Sequence, residues 1–318
     1  MVNKKQQNDS TVQKNISNKT HAEKYFFLII GTPIIFWAFA FPLIKIGLEE
    51  LSPVNLTIMR LFVVCLIFLV LLILQPKKLS KLQKKDIPSL FLLGFLGVVV
   101  YHLALNYGEL YVSAGAASLI IATIPLFVVI LAVMFISEKI TLNVMLGIII
   151  SLGGVIIISA FGNKDITLEI QYLSGAIAVL VAALVGAGYT VAGKKLLQRY
   201  SPLSLTIYAF LIGSLGLIPF ISPSLFEEVV RMSPVGWGAV LFLAFFPTVV
   251  SYTLWYVALE IKKASEISVY LYFTPVLSTI IAYFLLDEKI TLLFVLGGAL
   301  VIFGLYIINL SKRPIKLR

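Results

Sequence analysis

The chain has 318 residues, of which 60% are hydrophobic and only 13% are charged, and its mean hydropathy is +1.02. Soluble domains are about half apolar and about a quarter charged, so this composition excludes an ordinary soluble domain and indicates a polytopic membrane protein. The net charge of +10 does not require nucleic acid as a partner, because the position of the basic residues along the chain accounts for it.

The apolar runs predict the helices in chain order. Runs of about 20 residues recur from residue 25 onward, and each is long enough to cross roughly 30 Å of hydrocarbon as a helix. The sequence therefore predicts ten transmembrane helices at residues 25–46, 54–74, 88–108, 113–135, 141–160, 170–193, 203–222, 234–258, 264–286 and 291–310. Residues 1–24 predict a disordered cytoplasmic tail and residues 311–318 a basic cytoplasmic tail.

Basic residues are distributed unequally between the two sides of the predicted bundle. When the segments between spans are assigned to alternate sides, one side carries 20 Lys and Arg residues. The other side carries only Lys45, Lys164, Arg231 and Lys289. The positive-inside rule then predicts that both termini are cytoplasmic, in a multi-pass protein of the plasma or inner cell membrane.

Two stretches of the sequence read almost the same. Residues 135–142 (FISEKITL) and 285–292 (LLDEKITL) lie 150 positions apart. Further pairs align at an offset of 149 or 150: Pro125 with Pro275, Gly147 with Gly297, Gly154 with Gly304, and Leu51-Ser52-Pro53 with Tyr200-Ser201-Pro202. The chain is therefore predicted to be a tandem duplication of a five-helix unit, residues 25–160 and 170–310.

An odd number of helices per unit means that the second copy enters the membrane inverted. The predicted fold is thus an all-α integral membrane protein whose ten transmembrane helices form two inverted five-helix repeats around a central cavity. Inverted repeats are a recurring transporter design, in which the substrate site lies at the repeat interface near the membrane midplane. A monomer then holds a complete site, and a homodimer is compatible with the sequence.

Short motifs recur in a fixed order along both predicted halves. They are Trp37 with Lys45, Pro53 with Arg60, Asn106-Tyr107, Ser113-Ala114-Gly115, Pro125, Glu138, Gly147 and Gly154, and then Pro275, Glu288, Gly297 and Gly304. In this order the sequence resembles the ten-helix EamA-type permeases of the drug/metabolite transporter superfamily. The resemblance implies a bundle with a central cavity that moves amino acids, other metabolites or drugs, often outward.

Polar and aromatic residues inside the spans are the candidates for lining the cavity. His102 and Asn106 are four apart on one helix face, and the offset of 150 maps them onto Tyr252 and Tyr256. The full set of predicted substrate-binding residues is Trp37, Tyr101, His102, Asn106, Ser118, Tyr189, Ser251, Tyr252, Trp255, Tyr256, Tyr270 and Tyr272. Two alternatives stay open: His102 hydrogen-bonds a nearby carbonyl or carries protons, and Trp255 and Tyr256 form part of an interfacial aromatic belt.

The prolines and charges inside the predicted bundle suggest structural roles. Pro125 and Pro275 are mid-span and predict kinks, either static or acting as hinges. Lys45, Arg60, Glu138 and Glu288 are predicted to act on the fold, with Arg60 holding helix ends together through Glu49, Glu50 or Glu109, and Lys45 snorkelling to the headgroups or attracting an anionic substrate group.

The sequence contains no phosphate-binding loop, no metal-ligand spacing and no nucleophile–base pair, and no span has a carboxylate in its middle third. It therefore predicts no enzyme, no metal and no cofactor. Partners are a small-molecule substrate and the lipid bilayer. The predicted function is a secondary transporter, an exporter of small metabolites such as neutral or amphipathic amino acids, working by alternating access. The alternatives are a drug or toxic-compound efflux permease and a non-transporting membrane scaffold or sensor.

Overall fold

The computed structural model of the protein describes residues 25–137, 141–161, 170–287 and 292–310, which are helical and contain no strand. The helices, numbered in chain order, are α1 (Phe26–Leu48), α2 (Pro53–Leu74), α3 (Ile87–Gly94, Phe95–Val100 and Tyr101–Tyr111), α4 (Ala114–Ile121 and Ile124–Ile136), α5 (Leu142–Phe161), α6 (Ile170–Leu196), α7 (Pro202–Gly213 and Ser214–Phe220), α8 (Pro234–Ala244, Phe245–Val250 and Ser251–Ile261), α9 (Ala264–Ser268, Val269–Tyr272 and Phe273–Leu286) and α10 (Leu292–Leu310). A short helix, Pro223–Arg231, lies between α7 and α8.

Eight of these helices, α1 to α4 and α6 to α9, are long and apolar enough to cross a membrane. The chain is therefore a multi-pass membrane protein, and the predicted all-α class is confirmed. Helices α5 and α10 are also apolar and pack against each other. The predicted residues Glu138 and Glu288 and both predicted tails lie outside the described residues.

The repeated Ser-Pro motif is a helix start. Ser52 precedes Pro53 at the beginning of α2, and its hydroxyl accepts a hydrogen bond from the backbone N–H of Asn55 at 3.3 Å. Ser201 precedes Pro202 at the beginning of α7 and caps that helix in the same way. The serine side chain accepts from a free N–H of the first turn. Proline fits the first helical position because an N–H at that position would have no partner within the helix, so its absence costs no hydrogen bond.

The repeated FISEKITL and LLDEKITL stretches begin where α4 and α9 end. Ser137 and Asp287, 150 positions apart, both adopt a left-handed backbone conformation with φ of 53° and 54°. This conformation closes each helix, since the amide of each residue bonds a carbonyl five positions back, on Ala132 or Ala282. The similarity of the two stretches thus marks equivalent helix ends.

Helices α4 and α9 are each interrupted just before their proline. In α4 the α-helical pattern stops at Ile121 and resumes at Ile124, next to Pro125. In α9 a 3₁₀ segment, Val269–Tyr272, precedes Pro275. Proline lacks the N–H that would bond the preceding turn, and its ring clashes with that turn, which accounts for an interruption just before it. Both interruptions lie beside the prolines at which kinks were predicted. A hinge role for these prolines stays a prediction.

Helices α3 and α8 each contain a π-helical segment in the middle of the span. The segments Phe95–Val100 and Phe245–Val250 are 150 positions apart. Thr248 lies in the second segment and Ser251 directly follows it; the hydroxyl of each donates to a carbonyl five residues back, at 2.8 Å. π-Helical segments are rare in proteins, and those that occur are often found at functional sites.

Packing between the helices follows the same pairing in both halves. Helix α1 packs against α8 and α9, while α6 packs against α3 and α4. Helix α2 contacts α8, and α7 contacts α3. Helices α1 and α2 therefore contact the second half in the same way as their repeat counterparts, α6 and α7, contact the first half.

One end of the bundle is joined by carboxylates that bind the start of another helix. The Glu50 carboxylate accepts hydrogen bonds from the backbone N–H and the hydroxyl of Ser233, both at 2.5 Å. The Glu228 carboxylate accepts from the backbone N–H of Ser52 at 2.8 Å. Of the three carboxylates expected as partners of Arg60, Glu50 is thus engaged by Ser233 at the N-terminus of α8. We call this the Glu50 end.

The opposite end, called the Asp86 end, is joined by a buried carboxylate. Asp86 is 3% exposed. Its two oxygens accept hydrogen bonds from Arg199 at 2.6 Å and from the Tyr200 hydroxyl at 2.9 Å. This contact connects the start of α3 to the segment between α6 and α7.

We expect the Glu50 contact to make stability depend on pH. The Ser233 hydroxyl, and after it the Ser233 backbone N–H, holds the pKa of the Glu50 carboxyl below its ordinary value of 4.5. A carboxyl whose pKa is lower in the folded state stabilises that state above pH 4.5, and this stabilisation is lost as the pH falls through the lower folded-state pKa. Glu50→Gln should therefore lower the melting temperature at neutral pH, and the difference from wild type should shrink in acid.

Melting curves of the detergent-solubilised protein over a pH series measure this difference directly. Glu49→Gln is the matched control, because Glu49 is exposed at the adjacent position and makes no hydrogen bond to Ser233. A Glu50→Gln variant that melts at the wild-type temperature at every pH would contradict the prediction.

Candidate functional site

A cavity of about 60 Å³ lies inside the bundle, between α1, α2, α3, α4, α6, α8 and α9. Its wall is mostly aromatic and aliphatic, and no lining residue carries a carboxylate. The aromatic lining residues are Trp37, Phe41, Tyr101, Tyr189, Tyr252 and Trp255, and the polar ones are Arg60, Thr190 and Thr274. Five of the twelve predicted substrate-binding residues thus lie on this cavity.

Tyr252 is the centre of the aromatic wall. Its ring makes edge contacts with Trp37, Tyr189 and Phe210, with centroids 5.8, 5.4 and 5.0 Å apart. It also lies over the imidazole of His102, at 6.1 Å. Rings in edge or offset contact attract beyond the area they bury, so these contacts hold the wall in one arrangement.

The two tryptophans of the wall are fixed by hydrogen bonds across helices. The Trp37 indole N–H donates to the carbonyl oxygen of Pro247, inside the π-helical segment of α8, at 2.8 Å. The Trp255 indole N–H donates to the Thr190 hydroxyl on α6 at 3.2 Å. The two indoles contact each other with centroids 5.2 Å apart. Trp255 is 3% exposed, so it belongs to the interior and not to an interfacial belt.

Arg60 is the charged residue of the cavity wall. It is only 2% exposed, and its Nε–H donates to the Thr248 hydroxyl at 2.9 Å. Tyr252, Tyr101 and Glu109 interact with it electrostatically. The sequence placed Arg60 among the structural charges at a helix end, whereas in the fold it faces the same cavity as the aromatic residues.

The predicted face of α3 does not reach the cavity. His102 is fully buried, and its Nδ1 lies 2.6 Å from the carbonyl oxygen of Val98 on its own helix. The Asn106 amide donates to the Thr57 hydroxyl at 2.9 Å and so connects α3 to α2. Of the two alternatives for His102, the fold has the hydrogen bond to a nearby carbonyl.

Five other predicted residues also lie away from the cavity. The hydroxyls of Ser118 and Ser251 donate to carbonyls of their own helices. Tyr256 is fully buried and stacks on Tyr189 at 5.0 Å. Tyr270 contacts the ring of Phe26, and the fully buried Tyr272 packs in an apolar cluster with residues of α4 and α5.

Lys45 lies in the last turn of α1, half-buried, and is not part of the cavity wall. Pro125 and Pro275 are also absent from the wall, although residues beside the two interruptions reach it. The described residues contain no group of three His, Cys, Asp or Glu that could hold a metal ion.

The cavity wall contains matched positions from the two halves of the chain. Three pairs of lining residues are 149 positions apart and three are 150 positions apart: Trp37 with Gly186, Ala40 with Tyr189, Phe41 with Thr190, Leu105 with Trp255, Ile121 with Leu271, and Ile124 with Thr274. The last two pairs flank the interruptions of α4 and α9. The aliphatic and small members of these pairs were missed by a search for polar and aromatic side chains, but the repeat offset combined with the prolines could have found them: Ala40, Leu105, Ile121, Ile124, Gly186 and Leu271.

Comparison with known proteins gives a consistent result. The model of the EamA-like transporter family matches twice, over residues 24–160 and 173–310. An uncharacterized transporter of Archaeoglobus fulgidus is 37% identical over 282 residues, which is 89% of this chain and 98% of the relative. The uncharacterized transporter YdfC of Bacillus subtilis is 37% identical over 268 residues, 84% of this chain and 85% of the relative.

A further relative has a more specific name. The probable terminal-alkyne amino-acid exporter of Streptantibioticus cattleyicolor is 30% identical over 276 residues, 87% of this chain and 90% of the relative. A crystal structure with 16% sequence identity has a TM-score of 0.68 and covers 89% of this chain and 96% of its own, which shows a shared fold. With a family model that matches both halves and relatives aligned over most of their length, the chain belongs to the EamA-like transporter family of the drug/metabolite transporter superfamily.

Proposed function

We propose that the protein is a secondary transporter of the plasma or inner membrane that exports amphipathic amino acids or related compounds. It works by alternating access between two inverted five-helix repeats, residues 25–160 and 170–310, with both termini in the cytoplasm. The observation that carries this proposal is the set of six matched pairs in the cavity wall, drawn equally from the two halves. In transporters that work by alternating access, the substrate site lies at the interface between the repeats, and a wall drawn from both copies fits that arrangement.

Contacts at the two ends of the bundle fit the same cycle. Glu50 joins Ser233 at one end, and Asp86 joins Arg199 at the other, so each contact connects the first half to the second. With both contacts made, the cavity is narrow, and its volume of about 60 Å³ has room for only a few water molecules. Opening one end at a time would widen the cavity for a substrate and expose it to one side of the membrane.

The chemistry of the wall supports an amphipathic substrate. Aromatic rings receive an apolar side chain, and their faces attract an ammonium group. The wall has no carboxylate, which disfavours cationic drugs as the substrates. The relative named as an amino-acid exporter supports amino acids as the class and export as the direction.

Transport in proteoliposomes tests the proposal. The purified protein should give saturable flux of L-phenylalanine, L-leucine or L-methionine above that of empty vesicles. Trp37→Ala should abolish this flux, because it removes an indole that forms the cavity wall and bonds Pro247. Trp237→Ala is the matched control, since Trp237 lies on α8 outside the wall and its loss should leave the flux intact.

Three results would contradict the proposal. No flux of any of the three amino acids would overturn amino acids as the class, and flux of a cationic dye alone would favour the drug-efflux alternative. Wild-type flux in Trp37→Ala would show that the cavity is not the site. In each case the two variants are compared at equal amounts of monodisperse protein.

A further inference from the structure

We infer that Arg60 recognises the carboxylate of the substrate, so that the transported compounds are amphipathic carboxylates, amino acids included, and not their amides or amines. This inference rests on the proposed function and names the chemical group that the site selects. It differs from the leading sequence-based expectation, in which Arg60 holds helix ends together.

The position of the guanidinium is the first step. Arg60 lies on the cavity wall and is 2% exposed, so its charge is inside the bundle and away from bulk solvent. A guanidinium has five N–H donors. Among the described residues, its hydrogen bond is the one from Nε to Thr248, which leaves the two Nη groups for a ligand in the cavity.

The cost of burying this charge is the second step. An arginine inside a membrane protein is expensive unless it is paired or lines a watered cavity, and such residues mark substrate pathways. Glu109 attracts Arg60 and lowers that cost, but Glu109 is not part of the cavity wall. A substrate carboxylate would approach from the open side and accept two parallel N–H bonds, the geometry that arginine favours.

The groups beside Arg60 are the third step. The phenols of Tyr101 and Tyr252 interact electrostatically with the guanidinium and also line the cavity. Their hydroxyls can donate to the same carboxylate, while the rings of Trp37 and Trp255 cover the apolar part of the substrate. Because the wall offers a cation and no carboxylate, a substrate without its own anionic group leaves the guanidinium unpaired.

Matched ligand pairs test this selectivity on the purified protein in detergent. The ligands are L-phenylalanine, L-leucine and L-methionine, each compared with its primary amide, and dissociation constants are measured by calorimetry. In the wild type we expect at least one acid to bind about tenfold more tightly than its amide, or better, since a charge-assisted pair is lost with the amide. In Arg60→Gln the ratio should fall to about one.

The ratio of two affinities within one variant is insensitive to a general loss of stability. Arg60→Lys is the second variant, which keeps the charge but loses the bidentate geometry, so its ratio should lie between those of the wild type and Arg60→Gln. If Arg60→Gln does not fold, Arg60→Lys alone must reduce the ratio. Arg231→Gln is the matched control, since Arg231 is exposed outside the bundle and its loss should leave the ratio unchanged.

The outcomes separate the two proposals. If every amide binds as tightly as its acid, or if Arg60→Gln keeps the wild-type ratio, the role of Arg60 is overturned while transport of amphipathic compounds stands. If no acid and no amide binds, the proposed function is overturned and the inference with it.

Discussion

Gly94→Ala is expected to reduce sharply the yield of folded protein, because it inserts a methyl group where two helix backbones touch. A Cβ at Gly94 would stand 1.8 Å from the carbonyl oxygen of Ala209 and 2.9 Å from the Cα of Gly213, both on α7. Neither neighbour is the end of a flexible side chain, so α3 and α7 would have to separate. Overpacking of this kind costs about 1–3 kcal/mol, and occasionally more, and a backbone contact on α7 puts it at the upper limit.

The measurement is the yield of monodisperse protein and its melting temperature. Gly188→Ala is the matched control, because Gly188 lies within α6 and a Cβ there would have no atom within 4 Å. Alanine is also the better helix former by about 1 kcal/mol, so Gly188→Ala should melt at or above the wild-type temperature. A Gly94→Ala protein that is as abundant and as stable as Gly188→Ala would contradict the α3–α7 contact.

The sequence predicted the helices well where local chemistry decides them. The starts of α2 and α7 follow from a serine cap and a proline at Ser52-Pro53 and Ser201-Pro202, which are short-range signals. The π-helical segments in α3 and α8 were not predicted, because a π-helical turn leaves no distinct pattern in a uniformly apolar run. Periodicity also could not predict that α3 and α8 continue to Tyr111 and Ile261, beyond the apolar runs.

The site was predicted in part, and the reason lies in helix rotation. His102 and Asn106 do share a face of α3, as their spacing predicted, but the cavity face of that helix carries Tyr101 and Leu105, one position earlier. Spacing fixes which residues share a face and says nothing about which face turns inward; that depends on the packing of α3 against α6 and α7. The bond from Arg60 to Thr248 joins residues 188 positions apart, so it is equally invisible to local patterns.

Tyr252→Ala is expected to weaken substrate binding strongly and to destabilise the fold. Tyr252 is 7% exposed and its ring contacts Trp37, Tyr189 and Phe210, so truncation leaves a void that three helices border. The loss of a large buried aromatic side chain costs about 3–5 kcal/mol of unfolding free energy. Binding of L-phenylalanine should weaken by about 100-fold, because the ring that positions Trp37 and faces the substrate is gone.

Tyr252→Phe separates the ring from the hydroxyl. The phenylalanine ring keeps the packing, so the melting temperature should stay near that of the wild type. If the hydroxyl donates to the substrate carboxylate beside Arg60, binding of L-phenylalanine should still weaken by about tenfold. Tyr283→Ala, at an exposed position of α9, is the control that should change neither quantity.

The two Tyr252 variants together decide what the aromatic wall does. Weak binding in both, with a stable Tyr252→Phe, would mean that the hydroxyl takes part in recognition. Weak binding in Tyr252→Ala alone would mean that the ring acts by shape and packing, and the carboxylate would then depend on Arg60 without the phenol. Wild-type binding in Tyr252→Ala would contradict the central cavity as the substrate site. The ring of Tyr252 joins α8 to α1, the two helices that carry the tryptophans of the wall, so its loss would change the binding of any ligand in the cavity.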